Sequence, residues 1–216
     1  VRADVKTLAK NIGYVMGAGD EVPAALKQIG IDVTLITLDD LARADLSRFD
    51  AIVTGVRAWN TRPDLRANHQ RLLDYMTAGG TVVVQYNVQE GGFFGGDPKI
   101  LEKIGPYPIT TSRDRVTVEE APVTFVDPAN PLLLSPNRIS SKDFDGWVQE
   151  RGLYFANQWD PRYEALFACN DPGEQPMKGG TLVTRYGKGA YVFSAYAWFR
   201  QLPAGDHHDQ RAYWRQ

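Results

Sequence analysis

The sequence predicts a doubly wound α/β domain, with a mostly parallel sheet, helices on both faces and antiparallel strands added at one edge. Three observations predict it. Short apolar runs alternate with helical stretches through the first half of the 216 residues. Those runs are almost continuously apolar, as in strands buried on both faces. Glycines stand where helix gives way to strand, at Gly30 and at the Gly79-Gly80 pair.

The run "NIGYVMG" at 11–17 is the first strand. A helix follows in "AGDEVPAALKQIG", with Asp20 placed to cap it, Pro23 suited to its first turn and Gly30 ending it. The second strand is "IDVTLIT" at 31–37, and "LDDLARADLSRF" is a short helical link. The third strand is "DAIVTGV" at 50–56. One helix is expected in "NTRPDLRANHQRLLDYMTAGG", with Leu65, Leu72, Leu73 and Met76 on one side. The fourth strand is "TVVVQY" at 81–86, whose Val82, Val83 and Val84 should lie buried at the centre of the sheet.

The second half changes character. "GGFFGGDPKILEKIGPYPIT" reads as loop and short helix, and "DPANPLLLSPNRIS" as a Pro-punctuated loop. "RVTVEEAPVTFV", "LYFANQW" and "YEALFACN" are strand-like. "GTLVTRYGKGAYVFSAYAW" is a hairpin turning around Gly187-Lys188-Gly189. These β pieces are expected to extend the parallel sheet at one edge. No linker or internal repeat divides the chain, so a single domain over 1–216 is expected, with an atypical polar tail at 206–216.

Composition narrows the function. With 43% hydrophobic and 23% charged residues the chain is of ordinary globular type. A formal net charge of −2 gives no basic field for nucleic acid or an anionic membrane. No apolar run approaches the roughly 18 residues of a membrane span. The N-terminus lacks the apolar core of a signal peptide, and a start at Val fits a processed product or an excised domain. Cys169 is the single cysteine, so neither an internal disulfide nor a multi-cysteine zinc site is available.

Ligands of open parallel sheets bind at the carboxyl ends of the strands. The candidate ligand-binding residues are therefore Asp20, Arg57, Trp59, Asn60, Gln85, Tyr86, Asn87, Tyr196 and Trp198. Amides and arginine give directional hydrogen bonds and aromatic rings give flat apolar faces, which suits a neutral polyhydroxylated ligand such as a sugar. Trp59 should then be a binding platform, whose loss removes a sugar ligand without lowering stability. The competing reading has Trp59 and Trp198 packed under loops and Arg57 paired with a carboxylate.

Other motifs carry less. "GAGDE" has Gly17 and Gly19 between strand and helix but lacks the third glycine of a dinucleotide site and the Gly-Lys-Ser/Thr of a phosphate loop, so a tight turn is expected. His69 should face solvent. "DHHD" at 206–209 has metal-ligand residue types without distant partners, so no metal site is expected. Cys169 reads as a buried small residue with no histidine placed to activate it. No Gly-x-Ser-x-Gly elbow is present. Asp143, Asp145 and Glu150 flank Trp147, with nothing to single out a catalytic pair.

"IGYVMGAGDEVPAALKQIGIDVTLIT", "FDAIVTGVRAWNTRPDL", "LLDYMTAGGTVVVQYN" and "GGTLVTRYGKGAYVFSAYAWFRQLPAG" resemble the class I glutamine amidotransferase-like fold, a flavodoxin-like arrangement. The resemblance is to its ThuA-like branch and to the version at the C-terminus of bacterial PIG-L-type N-acetylglucosaminyl deacetylases. It implies a cysteine at the turn after "TVVVQY" and a histidine and glutamate near the last strands. Here those places hold Tyr86 or Asn87, and Tyr196 and Trp198, so glutaminase activity is not expected. The deacetylase zinc motif Ala-His-Pro-Asp-Asp is also absent. The resemblance implies a piece of an exported bacterial protein, with a deacetylase domain as partner and no cofactor of its own. In the resembling proteins an apolar-faced helix follows "WFRQLPAG", whereas "DHHDQRAYWRQ" is polar. Three functions follow: a non-catalytic carbohydrate-binding or accessory domain, a carboxylate-based hydrolase of a glycan or ester, or a structural and oligomerisation domain.

Overall fold

A computed structural model describes residues 5–92 and 95–204. The strands β1 (Asn11–Val15), β2 (Asp32–Leu35), β3 (Ala51–Thr54) and β4 (Thr81–Val84) are parallel neighbours in the order β2-β1-β3-β4. Parallel strands need crossovers, and the chain supplies them as α1 (Val22–Gln28), α2 (Leu38–Arg43), and the helices α3 (Ala58–Thr61), α4 (Pro63–Ala67) and α5 (His69–Ala78). Helix α2 opens on a capping box. Asp40 N donates to Thr37 Oγ1 at 3.1 Å, and Thr37 N donates to Asp40 Oδ2 at 2.9 Å.

The single helix expected between β3 and β4 is three. Arg62 precedes Pro63 and lies at φ −112°, ψ 88°. Proline crowds the residue before it out of the helical region, so the helix breaks there. A second break falls at Asn68, and α5 ends at Gly79 with φ 124°.

Strands β12 (Thr181–Tyr186) and β13 (Gly189–Ser194) form the expected hairpin across Gly187-Lys188. It extends the sheet at one edge, as expected. Strand β13 lies inside the sheet, parallel to β4 with Val83 opposite Val192, and β12 runs antiparallel beyond it. Only the two-residue β10 (Glu164–Ala165) extends the sheet further, giving the order β10-β12-β13-β4-β3-β1-β2.

The other β pieces do not join that sheet. Strands β5 (Ile109–Thr111) and β9 (Ala156–Trp159), β6 (Arg115–Val116) and β8 (Gly152–Leu153), and β7 (Val123–Phe125) and β11 (Phe167–Cys169) pair as three small antiparallel ladders. Each is too short to stand alone. They hold together on an aromatic core in which Phe144, Phe155, Phe167, Trp147 and Tyr196 meet at centroid distances of 5.2–6.3 Å. Arg151 is buried among these rings. It donates to Phe144 O at 2.7 Å and Ala121 O at 3.1 Å and stands over the Trp147 ring at 5.3 Å.

The main sheet buries one face under α5 and this aromatic layer. The other face lies under α1 and the helix α6 (Trp198–Ala204). Val82 and Val84 point into the larger core and are buried, whereas Val83 on the α1–α6 side is half-buried. The alternation reflects the unequal thickness of the two layers.

Candidate functional site

The place where strand order reverses, between β1 and β3, is the expected ligand crevice of such a sheet. Here the protein fills it with its own groups. Asp20 Oδ2 accepts the Val56 amide at 3.0 Å, and Oδ1 accepts the Tyr14 hydroxyl at 2.6 Å and the Val22 amide at 3.1 Å. Gln85 Nε2 donates to the Tyr14 oxygen at 2.9 Å. Burial and the Asp20 carboxylate together drive the Tyr14 pKa far above that of a free phenol. Glycines make the packing possible. A Cβ on Gly17 would collide with Val56 O, and one on Gly55 would lie 2.7 Å from Asp20 Oδ2. The "GAGDE" turn thus crosses the turn after β3 and needs no phosphate to explain it.

The open cleft lies one strand further along, past the ends of β3 and β4 and against the small ladders. It encloses about 380 Å³, the size of a small-ligand site. Its walls are Arg57, Val88, Gln89, Glu90, Gly95, Gly96, Arg113 and Tyr154. Arg57 holds the left-handed conformation, φ 57° and ψ 22°, and Tyr154 is also left-handed at φ 62°. Among the described residues three non-glycines have positive φ, and two of them face this cleft. Side chains avoid that region by about 1–2 kcal/mol per residue, and such strain collects at binding and active sites.

The cleft wall is cross-linked by hydrogen bonds. Arg57 N donates to Tyr86 O at 2.7 Å, which ties the turn after β3 to the turn after β4. Asn60 Nδ2 donates to Val88 O and to Glu90 Oε1, both at 2.9 Å, while its Oδ1 accepts Val88 N at 2.9 Å. Glu90 Oε2 accepts Asp97 N at 3.1 Å. Gln89 accepts the Thr111 hydroxyl. Arg113 donates to Gly91 O at 2.7 Å. The exposed Arg57 guanidinium makes no hydrogen bond or ion pair among the described residues.

Of the nine residues predicted to bind ligand, Arg57 alone lines this cleft. Tyr86 borders it, its ring 5.8 Å from Tyr154 and 5.6 Å from Phe199. Burial, with Tyr154 and Glu150 adding to it, pushes the Tyr86 pKa up to about 12 against the pull of Arg200 and Arg57. The remaining residues sit elsewhere. Trp59 is 1% exposed and meets His69 edge to face at 5.8 Å, so its ring offers no platform to a ligand. Its backbone amide is held by Asn87 Oδ1 at 3.0 Å. Asn87, 2% exposed, also donates to Gln85 O at 2.7 Å. Asp20, Asn60, Gln85 and Asn87 are spent on backbone and side-chain partners within the fold. Tyr196, 1% exposed, belongs to the aromatic core, with Trp198 packed on Trp147 at 4.7 Å. The strand-end residues do not gather around one pocket as expected because Trp59, Asn87 and Tyr196 turn into the protein.

His69 is half-buried beside Trp59 and not solvent-facing. Burial lowers its pKa, with Lys103 adding to the effect. Cys169 is buried as expected, and burial raises its thiol pKa. The "DHHD" stretch lies outside the described residues. Among the described residues no three His, Cys, Asp or Glu groups gather as for a metal, and no helix is long and apolar enough to cross a membrane. Sequence reasoning missed Gln89, Glu90, Arg113 and Tyr154. Arg113 and Tyr154 come from the small ladders, which carry no strand-end signal of a parallel sheet. The glycine-rich "EGGFFGG" was the one visible sign of a loop there.

No protein-family model matches the chain, and no curated protein is significantly similar to it. Solved structures are similar to it. The cytoplasmic protein STM1381 from Salmonella typhimurium LT2 matches with a TM-score of 0.54 at 16% identity, over 86% of this chain and 87% of that one. A protein described as ThuA-like, from Bacteroides uniformis ATCC 8492, matches at 0.48 and 11% identity over 91% and 86% of the two chains. A cold-adapted β-galactosidase from Rahnella sp. R3 matches at 0.48 and 20% identity, over 91% of this chain and 31% of the enzyme. The likeness is one of fold: an α/β domain with a mixed, mostly parallel seven-stranded sheet and antiparallel strands at its edge.

Proposed function

We propose that this domain binds a carbohydrate, without transforming it, in the cleft between the ends of β3 and β4 and the small ladders. The observation that carries the reading is the pairing of left-handed Arg57 and Tyr154 on the walls of one open 380 Å³ cleft. Tyr154 supplies a ring for the C–H face of a sugar, and Arg57 and Gln89 supply groups for its hydroxyls. An accessory place beside a deacetylase domain rests on the sequence resemblance and belongs to the same reading.

A hydrolytic reading has less support. Glycoside cleavage uses two carboxyl groups astride the bond. Among the described residues Glu90 is the one carboxylate on the cleft wall, and both its oxygens already accept hydrogen bonds. Among the described residues no cysteine, serine or histidine lines the cleft.

The test is a panel of mono- and oligosaccharides titrated into the protein and followed by amide chemical shifts. Shifts clustered on Arg57, Gln89 and Tyr154, lost in Tyr154→Ala, support the reading. Saturating sugars that move no cleft resonance refute it.

A further inference from the structure

We propose that the sugar taken by this cleft carries a carboxylate, as a uronic acid does. The inference rests on the carbohydrate reading and specifies its ligand. Two guanidinium groups, from Arg57 and Arg113, and one carboxylate, from Glu90, line the cleft. The Glu90 charge is already turned toward protein donors: Oε1 toward Asn60 Nδ2 and Oε2 toward Asp97 N. Both Glu90 oxygens are thus held within the fold, while the exposed Arg57 guanidinium stands open to a ligand.

The arginines differ in how they are held. Arg113 is anchored through its bond to Gly91 O. Arg57 is fixed through its backbone, by the Arg57 N to Tyr86 O bond at 2.7 Å and by the left-handed turn itself. Glycine is the residue that fits such a turn without strain, so an arginine there points to a use for its side chain. That side chain is exposed and makes no hydrogen bond or ion pair among the described residues. A guanidinium presents parallel N–H donors whose spacing matches the two oxygens of a carboxylate. Tyr154 on the same wall offers a ring face for the body of the sugar.

The test compares D-glucuronate, D-glucose, glucose 6-phosphate and inorganic phosphate by titration calorimetry on the wild-type chain and on Arg57→Gln. Circular dichroism and the urea midpoint check that the variant is folded, which is expected because the replaced side chain is exposed. Glucuronate should bind about tenfold or more tightly than glucose, lose about that factor in Arg57→Gln, and weaken as salt rises. Equal affinity for glucose and glucuronate, or no change in Arg57→Gln, overturns the charge assignment and leaves carbohydrate binding standing. Binding of either phosphate probe without glucuronate overturns the carboxylate. Silence from all four probes, repeated on the wider sugar panel, overturns both.

Discussion

Tyr14 donates its hydroxyl to Asp20 Oδ1 at 2.6 Å, and the same carboxylate holds the amides of Val22 and Val56. One side chain thus joins β1, the start of α1 and the turn after β3. Asp20→Ala would leave a buried hydroxyl and two amides short of partners, at a cost of about 3 kcal/mol. Tyr14→Phe removes two bonds, to Asp20 and from Gln85, and should cost about 2 kcal/mol. Urea unfolding reads both. Equal midpoints for Asp20→Ala and wild type would show that the carboxylate does not hold the fold.

Trp59 sets a second expectation. Its ring is enclosed by Leu72, Met76, Val82, Ile104 and Tyr191 around a void of about 10 Å³. Trp59→Ala should destabilise the protein by about 3–5 kcal/mol, as for other large core aromatics. A variant with wild-type melting temperature and weakened sugar binding would contradict this placement.

Arg57 should behave in the opposite way. Arg57→Gly removes a side chain from a left-handed turn, gaining about 1–2 kcal/mol and losing about 0.5–1 kcal/mol to chain entropy. The variant should be as stable as wild type or up to about 1.5 kcal/mol more stable, while ligand affinity falls. Loss of stability in Arg57→Gly, seen as a lower thermal midpoint, would count against strain held for binding.

His69 gives a pH dependence. Burial lowers its pKa in the folded protein below the ordinary 6.5. The unfolded chain then takes up a proton first as pH falls, so this contribution is present above about pH 6.5 and is lost below it. Unfolding free energy measured between pH 7.5 and 5 should decline less steeply in His69→Gln than in wild type. Parallel slopes would rule out His69 as the source.

The parallel half was legible in the sequence because its strands are buried on both faces and its helices carry turn residues at their ends. The four strands and the Pro23-bearing helix lie where the pattern puts them. Of the residues proposed from the sequence, one, Arg57, lies on the candidate cleft. Position at a strand end does not say whether a side chain faces outward, and Trp59, Asn87 and Tyr196 turn inward. Arg113 and Tyr154 reach the cleft through pairings such as Arg115 with Leu153, which join distant segments of two or three residues. No periodicity signals such contacts.

The parallel alignment of β13 with β4 also bears on how the chain is made. Thr81 to Val84 pair on one side with β3, already synthesised, and on the other with Ala190 to Phe193, from near the end of the chain. During translation β4 would be an open, valine-rich edge until β13 leaves the ribosome. Interrupted synthesis would leave that edge free to pair with another nascent chain, and closure of the sheet depends on contacts between distant parts of the sequence, which form slowly. In the folded domain β13 covers that edge of β4.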